Sequence, residues 1–270
     1  MRSALLATFT LWHRELQRFF RQPSRVAGAV GSPLVFWVLI GVGLSSSFRM
    51  PGAGAIGAAA GDGGVGFLRY FYPGTVTLVL LFAAIFSTIS VIEDRREGFL
   101  QGVMAAPVPR GAVAAGKVLG GATLAWLQGL IFLPLAPLAG IALGPGSVAA
   151  AAGVMALLAV ALTALGFAFA WRVDSTQGFH AVMNLVLIPM WLLSGAFFPL
   201  AGGPAWLVWV MRANPLTYGV AALREAFDPG SGGAPDGVLP GLAGSVAVLA
   251  LAAAAAFAAD LLVIRTRRAS

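Results

Sequence analysis

The sequence contains no cysteine among its 270 residues, so disulfides, thiolate metal centres and cysteine nucleophiles are excluded. Histidine is almost as scarce, at two, which argues against a histidine-rich metal site. Charge is scarce as well: 10% of residues are Asp, Glu, Lys or Arg, against roughly 25% in soluble globular domains. Apolar residues make up 59%, and the mean hydropathy is +0.89. Disorder requires the opposite balance, and an ordinary water-soluble sphere could not hide this much apolar surface. A membrane-embedded chain remains. The formal net charge of +7 then reflects basic loops beside the membrane, and no nucleic-acid partner is expected.

A hydrocarbon core about 30 Å thick needs about 20 helical residues. Charge-free runs of that length predict six transmembrane helices in an all-α integral membrane fold. The first covers about 26–48, between Arg25 and Arg49; the second about 72–92, ending at Glu93. Val118 to Trp171 is uncharged and too long for one helix. Gly144-Pro145-Gly146 divides it into spans of about 119–143 and 147–170, with Pro134 and Pro137 expected to kink the first. The last two spans cover about 179–199 and 240–264. The runs are continuously apolar, which disfavours an alternating barrel. Thirteen of the 17 basic residues fall at one surface: Arg2, Arg14, Arg18, Arg21, Arg25, Arg95, Arg96, Arg110, Lys117, Arg172, Arg265, Arg267 and Arg268. This asymmetry predicts that both termini are cytoplasmic. Tyr70, Tyr72 and Tyr218 then fall near the outer interface.

Residues 1–25 precede the first span. Leu5, Phe9, Trp12, Leu16 and Phe19 recur at steps of three or four, with Arg14, Gln17, Arg18 and Arg21 on other faces. This predicts an amphipathic helix on the inner leaflet, ended by Pro23. A signal peptide is the rival reading, weakened by the short apolar run and the basic residues after it. Residues 50–66, mostly Gly and Ala, read as a flexible outer loop. The outer region 200–239 differs. Pro204–Met211 is too short to span, and Pro215–Phe227 predicts another short helix, so interfacial or re-entrant helices precede the last span.

Gly111-Ala-Val-Ala-Ala-Gly116-Lys117 has the spacing of a phosphate-binding loop. Val118 follows where magnesium coordination needs Ser or Thr, and no buried strand precedes it. A helix start with Lys117 at the inner interface is the expectation. His13 falls on the surface helix, and His180 is expected to cap or border the fifth span. No nucleophile elbow or HExxH is present. Asp260 is expected to pair with the basic tail near the inner surface. No mid-depth charges suggest a proton or sodium relay. The densest charge cluster, Glu93-Asp94-Arg95-Arg96-Glu97-Gly98, follows the second span. Phe99, Leu100, Val103 and Met104 come next, then Pro107-Val108-Pro109-Arg110. The 93–117 segment thus predicts an amphipathic helix ended by prolines, a surface suited to a partner's cleft.

Four features resemble the permease subunits of type-2 ATP-binding-cassette exporters. Trp12, Arg14, Glu15, Arg18 and Arg21, running on to Pro23, are similar to the family's N-terminal interfacial helix. Pro73-Gly74 opens the second span. Glu93–Gly98, Phe99, Pro107–Arg110 and Gly116-Lys117 are similar to its coupling segment. Ser194, Gly195, Phe197, Phe198 and Pro199, followed by Asn214, Pro215 and Tyr218, are similar to its outer re-entrant region. The resemblance implies a second copy or a homologous permease, surrounding membrane lipids, and a separate ATPase subunit docked on the N-terminal helix and on the coupling segment after the second span. It implies no cofactor and no ATPase site in this chain, with ATP and magnesium held by that partner. It also implies residence in a bacterial inner or plasma membrane. The implied substrate is a lipid-linked glycan or an amphipathic drug, with Phe82, Phe86 and Asn184 as candidates for its path. The alternative is a membrane scaffold with no transport cycle, separable by co-purification with an ATPase.

Overall fold

A computed structural model describes residues 2–21, 31, 34, 35, 37–39, 63–197, 199, 200, 203–229 and 239–266. The described residues form helices and no strands. In chain order they are α1 (Arg2–Phe20), α2 (Gly63–Arg96), α3 (Phe99–Ala105), α4 (Arg110–Phe132), α5 (Pro145–Ala170), α6 (Thr176–Trp191), α7 (Ala205–Ala213), α8 (Pro215–Phe227) and α9 (Leu242–Thr266). A 3-10 turn, Leu133–Ala139, extends α4, and a π turn, Leu192–Ala196, extends α6. Five of these units are long and apolar enough to cross a membrane: Leu68–Arg96, Arg110–Ala139, Pro145–Ala170, Thr176–Ala196 and Leu242–Thr266. Most of the run expected at 26–48 lies outside the described residues. Gly31, Leu34, Val35 and Trp37–Leu39 are helical, and buried Trp37 packs edge-on against Tyr72.

The element boundaries follow local chemistry. Pro145, lacking an N–H, opens α5 after extended Gly144. Ser175 caps α6, its Oγ accepting from Gly178 N–H at 3.0 Å. The prolines expected to kink the 119–143 span instead convert its end into the 3-10 turn, closed by Gly140 at φ 73°. Helices α2 and α4 also begin well before the charge-free runs, at Gly63 and Arg110, because a charge at a helix end stops a hydropathy run without stopping a helix.

Lipid is as apolar as leucine, so helix association in a membrane depends on close packing and small residues. Helix α4 supplies these and packs against α1, α2, α5 and α9. A Cβ on Gly121 would sit 2.5 Å from Ser87 Oγ of α2 and 2.8 Å from Thr163 Cγ2 of α5. On Gly129 it would meet Leu80 at 2.8 Å. Helix α2 is buried along most of its length, and its Tyr72 side chain is enclosed by protein, with its hydroxyl on the Phe132 carbonyl.

Candidate functional site

At the end where α2 gives way to α3, α1 lies across α4. Gly116 and Gly120 permit this. A Cβ on Gly116 would sit 2.7 Å from Leu11 Cβ, and on Gly120 2.7 Å from Glu15 Cβ. The apparent phosphate-loop glycines are therefore part of a helical packing surface, since Gly111–Lys117 lies wholly within α4. Trp12 Nε1 adds a hydrogen bond to Thr123 Oγ1 at 3.1 Å.

This contact buries a set of charges. Asp94, fully buried, accepts from Arg14 at 2.8 and 2.9 Å, from Arg18 at 2.8 Å, and from Lys117. Lys117 also donates to Glu15 at 2.5 Å, and Arg18 to Glu93 at 2.8 Å. Three cations, Arg14, Arg18 and Lys117, meet Glu15, Glu93 and Asp94, and exposed Glu97 stands 3.9 Å from Arg18 at the edge of the set. The Arg14 guanidinium lies 3.7 Å from the Phe99 ring centroid, which ties α3 to the same knot. The hydrogen bond to Asp94 holds Arg14 above its ordinary pKa, so it stays charged.

Lys117 is thus enclosed within the protein rather than free at a helix start. It is the sole lysine of the chain and is buried between two carboxylates. The Gly116-xxx-Gly120 spacing, a small-residue helix contact, was the signal for this approach.

The six residues Glu93–Gly98 divide between inward and outward roles. Arg95 turns inward and caps α5, donating to the Trp171 carbonyl at 2.7 Å and pairing with Asp174 at 2.7 Å. Arg96 and Glu97 are exposed, and Gly98, at φ 76°, makes the turn into α3. Pro107 and Arg110 are exposed and Phe99 half-buried. On α1, Leu5, Leu6, Phe9 and Phe20 are exposed, as is Arg21 just after it.

The opposite end is built around the π turn. Gly195, at φ 79°, reverses the chain, and its carbonyl accepts from Tyr70 Oη at 2.9 Å and Arg224 Nη2 at 3.1 Å. Phe197 packs against Phe71 and Trp191, with centroids 4.8 and 5.1 Å away. Asn214 caps α8 by accepting from Leu216 N–H at 3.0 Å, and its Nδ2 donates to the Met190 carbonyl at 2.5 Å. Pro215 opens α8, and Tyr218 Oη donates to Arg212 O at 2.9 Å. Pro199 is exposed, and Phe198 lies outside the described residues. Helix α7, nine residues long, is too short to span and presents Trp206 and Trp209 outward.

Phe82 and Phe86 stack with centroids 6.1 Å apart, and His180 packs 5.8 Å from Phe86. Ser175, rather than His180, caps α6. Asn184 is exposed on α6. Asp260 is fully buried, and both its carboxylate oxygens lack a hydrogen-bond partner among the described residues, so it does not pair with Arg265; Arg267 and Arg268 lie outside the described residues. No group of three or more potential metal-ligating side chains occurs among the described residues.

Comparison with known proteins matches residues 7–227 to the ABC-2 type transporter model. The putative transport permease ycf38 of Cyanophora paradoxa is 24% identical over 83% of this chain and 74% of its own length. The daunorubicin resistance ABC transporter permease protein DrrB1 of Streptomyces coeruleorubidus is 24% identical over 83% and 75%. Nodulation protein J of Rhizobium leguminosarum bv. trifolii is 29% identical over 73% and 71%. With its apolar helices and this match over most of its length, the chain is a multi-pass membrane protein and belongs to the ABC-2 type transporter family, as a permease subunit.

Proposed function

We propose that this permease forms the translocation path of an ATP-driven exporter and couples it to a separate nucleotide-binding subunit that holds ATP and magnesium. The observation that carries the reading is the knot at Asp94. It joins α1 and the end of α2 directly to α4, with α3 held through Phe99. A force applied to α1 or α3 therefore reaches two membrane-crossing helices through buried ion pairs rather than through flexible loops. Arg96, Glu97 and Pro107 remain exposed beside the knot as docking groups. A second copy or homologous permease completes the path. Phe86, 42% exposed and packed on His180, lines it together with exposed Asn184, one turn further along α6. The substrate class is a lipid-linked glycan or an amphipathic drug; the name of the daunorubicin resistance relative supports the drug reading.

The test is co-expression with the cognate ATPase, followed by co-purification, ATPase activity and vesicle transport. Exchanging the exposed charges, Arg96→Glu with Glu97→Arg, should weaken docking about 5- to 10-fold while the fold persists, as expected for partner contacts worth ~1 kcal/mol. Normal docking and transport by that variant would remove these residues from the interface. Failure of the wild-type chain to bind any ATPase would overturn the exporter reading itself.

A further inference from the structure

Asp260 is an anomaly in a chain with so few charges. It stands within α9, fully buried, with neither oxygen hydrogen-bonded among the described residues. Intramembrane carboxylates ordinarily pair across helices or line a polar path, because an isolated buried charge is costly. Arg110, the first residue of α4, reaches the same helix. Its Nη1 lies 3.3 Å from the Ile264 carbonyl and 3.4 Å from that of Arg265, contacts longer than a good hydrogen bond. Gly111, next in sequence, already faces the turn that carries Asp260: a Cβ on it would lie 3.3 Å from Leu261 Cδ2. Asp260 precedes Ile264 by about one helical turn, about 5.4 Å. Arg110 therefore has two sets of acceptors on α9, a weak carbonyl pair that it now uses and an empty carboxylate one turn away.

We propose that Asp260 is a positioning residue for transport: in a second arrangement of α4 against α9, Arg110 leaves the Ile264 and Arg265 carbonyls and pairs with Asp260. One-turn displacements of packed helices are an established form of two-state motion. Arg110 directly follows the Pro107-Val108-Pro109 link from α3. The two prolines limit how far that link can absorb a push. Motion of α3 is thus passed to the last membrane-crossing helix as well as to α2 and α4. This rests on the exporter reading for what drives the exchange, but not for the contact itself.

Two measurements decide it. In the isolated permease in nanodiscs, Arg110→Cys with Asp260→Cys should cross-link at least tenfold faster than Arg110→Cys with Leu249→Cys. Leu249 lies three turns away on the same buried face, and the native chain offers no competing thiol. A rate no faster than the control overturns the contact whether or not an ATPase partner is found. In the ATPase complex, Asp260→Asn and Arg110→Gln should each lower transport about tenfold without lowering the unfolding midpoint. The double variant should be no worse than either single one. Normal transport by Asp260→Asn, or losses that multiply to about a hundredfold, would overturn the positioning role. A wild-type complex that neither hydrolyses ATP nor transports would refute the exporter reading instead, leaving the cross-linking result to stand.

Discussion

Asp94 receives four donated hydrogen bonds from three cations, and this convergence determines how the knot responds to mutation. Removing one member of a buried ion pair leaves an uncompensated charge and costs ~3–5 kcal/mol. Lys117→Ala leaves buried Glu15 with Arg14 alone, at 3.5 Å, and takes one of three cations from Asp94; Asp94→Ala removes the shared acceptor of Arg14, Arg18 and Lys117. Each variant should unfold at clearly lower temperature in detergent, as followed by tryptophan fluorescence. The double variant should lose less than the sum, because residues in one network couple. The sole lysine provides an independent check. An amine-directed reagent should modify Lys117 at least tenfold more slowly in the folded protein than in the unfolded one; equal rates would mean that the cluster is open. These roles were only partly legible in the sequence. The concentration of charge at Glu93–Glu97 marked the place, but not which members turn inward. Arg95 and Arg96 are adjacent and chemically identical, yet one caps α5 and the other faces out. Direction around a helix decides that, and it depends on neighbours more than seventy residues away. Asp260 was misread for the same reason: proximity to Arg265 along the chain said nothing about the face on which its carboxylate lies.

At the scale of elements, hydropathy located the apolar parts of helices well and their ends poorly. A charge interrupts a hydropathy run but not a backbone ladder, so α2 continues through Glu93, Asp94, Arg95 and Arg96. Turn chemistry was more reliable, with Gly144-Pro145 starting α5 and Pro215 starting α8. The crossing of α1 over α4 rests on Gly116 and Gly120, a spacing that favours a close helix contact without naming the partner helix. At Gly116 even a methyl group meets Leu11 Cβ at 2.7 Å and the Thr8 carbonyl at 3.0 Å. Gly116→Leu should therefore push α1 away, with an overpacking penalty of ~1–3 kcal/mol. Faster amide exchange in α1 than in α5 would report the release. Gly102 in α3 is the control, because a Cβ there has no neighbour within 4 Å. Gly102→Ala should be neutral or stabilise α3 by up to ~1 kcal/mol through helix propensity. If Gly116→Leu left α1 as protected as in the wild type, the close approach of the two helices would be wrong.

For the whole molecule, the contacts divide the described chain into two ends without reference to a membrane. Arg95 joins the end of α2 to the end of α5, and Arg110 joins the start of α4 to the end of α9. Tyr70 and Arg224 join the start of α2 and α8 to the turn that closes α6. The all-helical membrane architecture and the family were legible in composition and in a few short motifs, because both depend on long runs and on local chemistry. Which end faces the cytoplasm depends on the bilayer and the insertion machinery, which no intramolecular contact encodes. Only the arginine distribution bears on it: Arg14, Arg18, Arg95, Arg96 and Arg110 gather at the first end, while Arg69, Arg212 and Arg224 occupy the second. The absence of native cysteine makes the question direct. Ala105→Cys, on the exposed end of α3, should resist a membrane-impermeant maleimide in intact cells and react once the membrane is permeabilised. Ala205→Cys, at the exposed start of α7, should react in intact cells. The reverse pattern would place the Asp94 knot outside, where a nucleotide-binding subunit has no ATP, and the coupling proposal would fall with the orientation.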